Sequence, residues 1–284
     1  MVINTSDINS VKNLFKKFAL PQSNSHKGQN GRILIIGGSS LFHAAVLWSA
    51  EVASHFADIV HFSSTVENQE IFRSLKKIFR NGMIIQKKEL FDYVKEDDVI
   101  LVGTGMVRDG QEGKYTSEIV ESLINKFPEK KFVFDAGALQ MMDKNWLLKL
   151  KTPAIITPHQ IEFAKLFGQD IIDKGIKEKE EIVKETAKKY KTVILLKAVD
   201  DIVSDGEKTV FIHGGNQGLT KGGTGDVLAG LTASFYVKNN SLNSAVFASI
   251  ILKKTSDVLF VSKKYWYNVT DIISKLPEVL SSLI

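Results

Sequence analysis

Short, continuous apolar segments recur along the chain, and a longer amphipathic segment follows most of them. The β-branched run at 32–36, which ends at Gly37-Gly38-Ser39-Ser40, is typical of a strand buried on both faces of a parallel sheet. The same pattern predicts strands at 59–62, 83–85, 99–102, 132–134, 154–156 and 193–196. Segments 202–204 and 209–213, joined by Asp205-Gly206, predict an antiparallel hairpin.

Apolar residues at helical spacing predict helices between these strands. The first is expected at 6–20, where Ser6 or Asp7 can act as the N-cap. The others are expected at 43–56, 67–80, 112–127, 160–167, 178–190, 226–237, 242–262 and 270–283. Because strands and helices alternate without a linker, a repeat or a low-complexity segment, we expect an α/β fold and a single domain over residues 1–284.

Composition excludes several classes of protein. The 284 residues include no Cys, which excludes a disulfide scaffold, a thiolate nucleophile and a Cys-ligated metal site. The net charge of +5 is small, and the Lys residues are spread along the chain. Both features argue against nucleic-acid binding. No apolar run approaches the length of a membrane span, and the N-terminus lacks the apolar core of a signal peptide. We therefore expect a cytoplasmic protein without membrane or nucleic-acid partners.

The strongest chemical signal is the glycine-rich segment 214–230, which passes directly into an apolar helix. Free N–H groups and the helix dipole at such a helix start form a site for phosphate oxygens, and glycine permits close approach. An Asp226 carboxylate at this site would repel an anion, so its presence there indicates a role, such as taking a proton. The alternative is that Asp226 is an N-cap residue on a glycine-rich turn.

Other candidate groups follow the ends of predicted strands, where ligands bind in open α/β sheets. Each has a structural alternative: a tight turn for the glycines, an Asx turn for the Asp, a helix cap for the His and a solvated side chain for the Lys. Asp135 could hold Mg²⁺ through water, and a Lys at a strand end can reach phosphates. These groups are Gly37-Gly38-Ser39, Gly103-Thr104-Gly105, Asp135-Ala136-Gly137, Thr157-Pro158-His159 with Glu162-Phe163, and Leu196-Lys197.

Taken in order, these motifs resemble the ADP/ATP-dependent NAD(P)H-hydrate dehydratases, a branch of the ribokinase-like superfamily. The resemblance extends over roughly residues 24–283 and rests most on Thr157-Pro158-His159 with Glu162-Phe163, and on the segment 222–230. It implies a ribokinase-like three-layer α/β/α sandwich with a mostly parallel central sheet. No epimerase-like segment precedes the motifs, so the resemblance is to the stand-alone form.

The resemblance implies repair of hydrated nicotinamide cofactors: ADP or ATP phosphorylates the ring hydroxyl of NADHX or NADPHX, and phosphate then leaves to restore NADH or NADPH. Asp226 would be the catalytic base, and the amides of Gly223 and Gly225 would stabilise the transferring phosphoryl group. Mg²⁺ is expected, with no ligand assigned. A homo-oligomer, a tetramer in the family, is also implied. The substrate would contact Ala44, Gly105, His159 and Asp226, and the nucleotide Lys197, Ala198, Val199, Asp200, Asp201, Thr224 and Gly225.

The sequence departs from the family pattern at several positions. Ala198 and Asp201 stand where Gly and Thr or Ser are usual, and Gly137 replaces an Asp. His43-Ala44, Gln217 and Thr220 also differ from the usual residues. Two other functions therefore stay open: a kinase acting on a small alcohol, such as a vitamin precursor or sugar, and a nucleotide-binding protein without catalysis.

Overall fold

The apolar segments assemble into one ten-stranded sheet in a computed structural model, which describes residues 1–77 and 79–284. The strands are β1 (Val2–Asn4), β2 (Arg32–Ile36), β3 (Ile59–Ser63), β4 (Met83–Ile84), β5 (Val99–Val102), β6 (Lys131–Phe134), β7 (Ile155–Ile156), β8 (Val193–Leu196), β9 (Asp201–Ser204) and β10 (Thr209–His213). Their spatial order is β1-β10-β9-β8-β7-β6-β5-β2-β3-β4. Neighbouring strands are parallel except at β9, which runs antiparallel to β8 and β10.

Helices cover both faces of the sheet. They are α1 (Ile8–Phe15), α2 (Ala44–Ser54), α3 (Val66–Leu75), α4 (Leu90–Glu96), α5 (Gly110–Lys126), α6 (Ala136–Met141), α7 (Gln160–Phe167), α8 (Ile176–Tyr190), α9 (Thr224–Tyr236), α10 (Ser241–Lys263) and α11 (Val269–Ser281). Apolar side chains of α1, α2, α3, α9, α10 and α11 share one core with the sheet, and those of α4 to α8 share a second. The three-layer, mostly parallel sandwich expected from the sequence is confirmed.

The structure differs from the predicted elements mainly at short segments and helix ends. The first helix stops at Phe15 rather than residue 20, and tighter backbone hydrogen bonds from Lys17 to Leu14 and from Phe18 to Phe15 follow it. The predicted helix 67–80 is Val66–Leu75, and Ile78 within that prediction lies outside the described residues. Strand β1 and helices α4 and α6 were not expected from the sequence, because three to seven residues are too few for a clear periodicity.

The strand order reverses between β2 and β5, and this reversal locates the ligand crevice. In open α/β sheets, ligands bind outside the carboxyl ends of the strands at such a switch point. Gly37 and Gly38 follow β2 there, and Gly103 and Gly105 follow β5. No helix in the described ranges 1–77 and 79–284 combines the length and apolar character needed to cross a membrane.

Gly103 holds the chain segments at this crevice together. Its φ is +121°, and a Cβ at this position would lie 1.9 Å from the carbonyl oxygen of Asp135. Only glycine therefore allows the loop after β5 to pass against the start of α6.

We expect Gly103→Ala to destabilise the fold by about 3 kcal/mol or more, because overpacking and backbone strain add at one position. Gly175→Ala is the matched control, since a Cβ at Gly175 would meet no atom within 4 Å and its φ is not positive. Urea unfolding of both variants measures the difference. Equal stability of the two variants would contradict this packing.

Candidate active site

A single ammonium group lies among carboxylates at the carboxyl edge of the sheet. Lys197 follows β8, and its Nζ donates to Oδ1 of Asp135 at 2.8 Å and lies 3.7 Å from Oε2 of Glu162. The hydroxyl of Thr157, which follows β7, donates to the same Asp135 oxygen at 2.8 Å. Burial alone would lower the pKa of Lys197, but the charges of Asp135 and Glu162 hold it above its ordinary value. The ammonium is therefore retained at neutral pH.

His159 and Glu162 begin α7 in a reciprocal capping box. The backbone N–H of Glu162 donates to Nδ1 of His159 at 3.2 Å, and the backbone N–H of His159 donates to Oε2 of Glu162 at 2.9 Å. Nδ1 thus acts as an acceptor, which leaves Nε2 as the protonated nitrogen, 3.4 Å from Oε1 of Glu162. The capping alternative is confirmed for His159, and its half-exposed ring still borders the cluster.

Asp226 lies in the first turn of α9, which begins next to Lys197. The helix N-cap is Gly223, with a φ of +98°, and no side chain caps the helix. The N-cap alternative for Asp226 is therefore wrong. Burial, followed by the negative charge of Asp135, raises the pKa of Asp226 to about 7, although Lys197 opposes the shift. Asp226 can thus exchange a proton near neutral pH.

The open start of α9 is available to an anion. A Cβ on Gly225 would lie 3.6 Å from Nζ of Lys197, and a Cβ on Gly222 would meet no atom within 4 Å. The hydroxyl of Thr224 is occupied, since it donates to the carbonyls of Leu219 at 2.8 Å and Lys221 at 3.0 Å. Uncapped first-turn amides and an adjacent ammonium form the geometry that binds phosphate oxygens.

Buried hydrogen bonds and an ion pair fix the loop 197–201 on the side that faces the protein interior. Asp201 accepts hydrogen bonds from the backbone N–H of Ala198 at 2.9 Å and from the hydroxyl of Ser249 at 2.7 Å. Lys253, on α10, lies 3.6 Å from Asp201 and donates to the carbonyl of Val199 at 2.7 Å. Burial raises the pKa of Asp201, with Lys253 opposing. The Asp201 carboxylate therefore faces the protein interior and not the cleft.

The remaining predicted site residues lie along the same edge. Asp200 pairs with His213 at 2.6 Å, and Val199 is 87% exposed at the tip of the loop. Ala44 is the first residue of α2, and a Cβ on Gly105 would lie 2.7 Å from Cβ of its neighbour Ala45. The starts of α2 and the loop after β5 are thus in contact.

Comparison with known proteins identifies the chain. The sequence profile of the NAD(P)H-hydrate dehydratases matches residues 33–278. The chain belongs to the NAD(P)H-hydrate dehydratase family. An ADP-dependent (S)-NAD(P)H-hydrate dehydratase of Nitrosopumilus maritimus is 32% identical over 278 residues, which cover 94% of this chain and 93% of the relative. Against bifunctional NAD(P)H-hydrate repair enzymes such as that of Archaeoglobus fulgidus, the chain spans about half of the relative's length.

Solved structures of this family and its superfamily share the fold. A ribokinase-like protein of Enterococcus faecalis superposes with a TM-score of 0.83 at 23% identity, covering 96% of this chain and 94% of that one. The ADP/ATP-dependent NAD(P)H-hydrate dehydratase of Bacillus subtilis, co-crystallised with ATP and Mg²⁺, gives a TM-score of 0.78 at 20% identity, covering 98% and 97%. The ribokinase-like architecture expected from the motifs is therefore confirmed.

Two departures from the family pattern have local explanations. A Cβ on Gly137 would lie 2.2 Å from the carbonyl oxygen of Met106, so no side chain fits there. Asp201 has a buried partner in Lys253, which sequence reasoning did not identify. The sequence feature that could have indicated this partner is that Lys253 directly follows the apolar run 245–252, four residues after Ser249.

The carboxyl group of Asp226 should cost folding stability at alkaline pH. Because its pKa is raised to about 7 in the folded protein, the ionised form destabilises the fold, an effect that begins above about pH 4 and is complete above about pH 7. Asp226→Asn is therefore expected to raise the melting temperature more at about pH 8 than at about pH 5.

The control is Asp173→Asn, since Asp173 is exposed and forms no side-chain hydrogen bond or ion pair within the described ranges. Melting curves of both variants at the two pH values provide the measurement. A pH-independent effect of Asp226→Asn would show that this carboxyl group is not buried as described.

Removing the Lys253 ammonium should destabilise the fold by about 3 kcal/mol, because Asp201 would be left buried and unpaired. The double variant Lys253→Met with Asp201→Asn should recover part of this loss, which a double-mutant cycle by urea unfolding measures. Lys254→Met is the control on the same helix, since within residues 1–77 and 79–284 the Lys254 ammonium bonds only the carbonyl of Thr5. Strict additivity of the two single variants would argue against the pair.

Proposed function

We propose that this protein catalyses the ADP- or ATP-dependent dehydration of (S)-NADHX and (S)-NADPHX to NADH and NADPH, and is thus a hydro-lyase that repairs nicotinamide cofactors. The observation that carries the proposal is the Asp226 carboxyl group, with a pKa of about 7, at an uncapped helix start beside the ammonium of Lys197. Membership in the dehydratase family and the names of its relatives support the choice of substrate.

In this proposal Asp226 takes the proton from the ring hydroxyl of the hydrated cofactor. The hydroxyl oxygen forms a bond to the terminal phosphorus of the nucleotide as the bond from that phosphorus to its bridging oxygen breaks. The ring C–O bond then breaks, phosphate leaves with the bonding electrons, and the neighbouring ring carbon loses a proton to form the double bond. The amides of Gly223 and Gly225 would stabilise the charge on the transferring phosphoryl group.

The nucleotide would bind between the start of α9 and the loop after β8. Lys197 would contact phosphate oxygens as a point charge, while Ala198, Val199 and Asp200 would line the rest of the nucleotide. Asp201 and Thr224 have occupied side chains, so their contribution would come from the backbone. The hydrated ring would lie against Ala44, Gly105 and His159, with its hydroxyl at Asp226.

Mg²⁺ is compatible with the residues present. No group of three or more His, Asp or Glu side chains among residues 1–77 and 79–284 is arranged to ligate a metal by itself. Mg²⁺ keeps several waters and binds one or two carboxylates together with substrate phosphates. Asp135, Glu162 and Asp226 are carboxylates at the proposed phosphate site, and one or two of them would hold the ion through water. When bound, Mg²⁺ would neutralise charge on the phosphates.

The proposal also includes a cellular location and an oligomeric state. A cytoplasmic location would match the intracellular supply of nucleotides and nicotinamide cofactors. A homo-oligomer, and specifically a tetramer, is proposed from the family resemblance, and light scattering tests it.

Activity should depend on the ionised form of Asp226. With the hydrate, ADP or ATP and Mg²⁺, the wild type should regenerate the absorbance of reduced nicotinamide, and kcat/KM should rise with pH through an apparent pKa of about 7. Asp226→Asn should lose at least about a hundredfold in kcat, because general-base catalysis typically contributes that much.

Asp173→Asn should retain full activity. If neither nucleotide supports regeneration by the wild type, the dehydratase proposal is wrong. Labelled ATP with a panel of small alcohols then distinguishes a kinase from a nucleotide-binding protein without turnover.

A further inference from the structure

A cavity of about 280 Å³ opens at the carboxyl ends of β2, β3 and β5, apart from the Lys197 cluster. This volume is near the lower end for small-molecule sites and suits a nucleoside better than a dinucleotide. Gly37 and Gly38 form its floor after β2, and Met106 borders it directly after Gly105. The cavity is therefore continuous with the loops proposed to contact the hydrated ring.

Two polar groups at this cavity have no partner within the described part of the chain. Ser63 lines the cavity and is 2% exposed, and its hydroxyl forms no hydrogen bond with any described residue. Lys87 also lines it, and its Nζ lies 4.1 Å from the ring centroid of Tyr115. That ammonium forms no ion pair or hydrogen bond with residues 1–77 or 79–284. An exposed ammonium without an ion pair and a hydroxyl without a protein partner, both lining one cavity, can contact a polar, anionic ligand.

The carboxylate that shares this cavity with Lys87 is oriented by hydrogen bonds from Ser40. Glu112 lines the same wall, and its two oxygens accept hydrogen bonds from the backbone N–H of Ser40 at 3.2 Å and the hydroxyl of Ser40 at 2.9 Å. The hydroxyl of Thr116 is likewise occupied by the carbonyl of Val107 at 2.9 Å. Among the residues that the structure describes, Lys87 is the one cationic side chain lining this cavity and Glu112 the one carboxylate, whose two oxygens are turned toward Ser40.

The distance between the cavity and the Lys197 cluster fits the proposed substrate. From β3 to β6, whose end carries Asp135, there are three strand spacings, or about 14 Å. An extended dinucleotide separates its nicotinamide ring from its adenosine ribose by a comparable length. With the ring beside the Asp135–Lys197 pair, next to which the start of α9 places Asp226, the adenosine half would reach the cavity.

We propose that this cavity binds the adenosine half of the reduced dinucleotide, and that Lys87 makes the protein favour the 2′-phosphorylated form, NADPHX over NADHX. The inference rests on the proposed function for its ligand, because the dinucleotide is what connects the two sites. Lys87 contacts the 2′-phosphate, and the hydroxyl of Ser63 donates to a ribose or phosphate oxygen. Tyr115 holds the Lys87 side chain in place through its ring face.

Direct binding of the products NADPH and NADH tests this assignment. Their fluorescence is titrated with the protein in saturating ADP, so that the nucleotide site is already filled. The wild type should bind NADPH about fivefold or more tightly than NADH, as expected for one charge-assisted contact at a partly exposed site. Lys87→Met should remove this preference with little change in NADH binding, and Lys87→Arg should keep it.

Lys88→Met is the matched control, because Lys88 is the next residue, equally exposed, and does not line the cavity. Equal affinities of the wild type for the two cofactors, no binding of either, or an equal loss for both in Lys87→Met would overturn the proposal. Failure of the proposed function is a separate result, namely no regeneration of reduced cofactor from the hydrate. The binding titration does not depend on turnover.

Discussion

The structure depends on one largely enclosed ammonium shared by carboxylates from separate elements. Lys197 follows β8, Asp135 follows β6 and Glu162 lies in the first turn of α7, so the ion pairs form only when these elements have their observed order at one sheet edge. A buried charge left without a partner costs several kcal/mol. The cluster therefore couples correct assembly of the sheet to correct assembly of the site.

The same burial that ties the cluster together gives Asp226 its chemistry. Gly225 lies close to Lys197 at the start of α9, where burial and the like charge of Asp135 hold the proton on Asp226 more tightly than on an exposed carboxyl group. A carboxyl group placed there weakens the fold whenever it ionises. Lys197 and a backbone N–H offset only part of this cost, and the proposed proton-transfer role would account for keeping a carboxyl group there.

Sequence patterns predicted the strands, the helices and the residues at their ends. They did not predict contacts between residues that are far apart in the sequence. The sequence predicts the strand at 193–196 and a lysine at its end, because Lys197 directly follows the apolar run. The sequence does not predict that the Asp201 side chain faces the interior, because its partners Ser249 and Lys253 lie on α10, about 50 residues away. The Gly at 137 was similarly unexplained until the carbonyl of Met106 was seen to occupy the space. The departures at 137 and 201 thus concern packing and leave the anion site intact.

The charge balance of the cluster indicates why the proposed reaction would need both a metal ion and a helix start. One ammonium faces Asp135, Glu162 and, when ionised, Asp226, so the site is already net negative before a polyphosphate arrives. Bringing further negative charge there without neutralisation would raise the pKa of Asp226 and suppress the base. The uncapped amides of α9 offset part of this charge, and Mg²⁺ on the phosphates would offset the rest. In the proposed reaction, nucleotide binding and activation of Asp226 would therefore be coupled through one electrostatic balance.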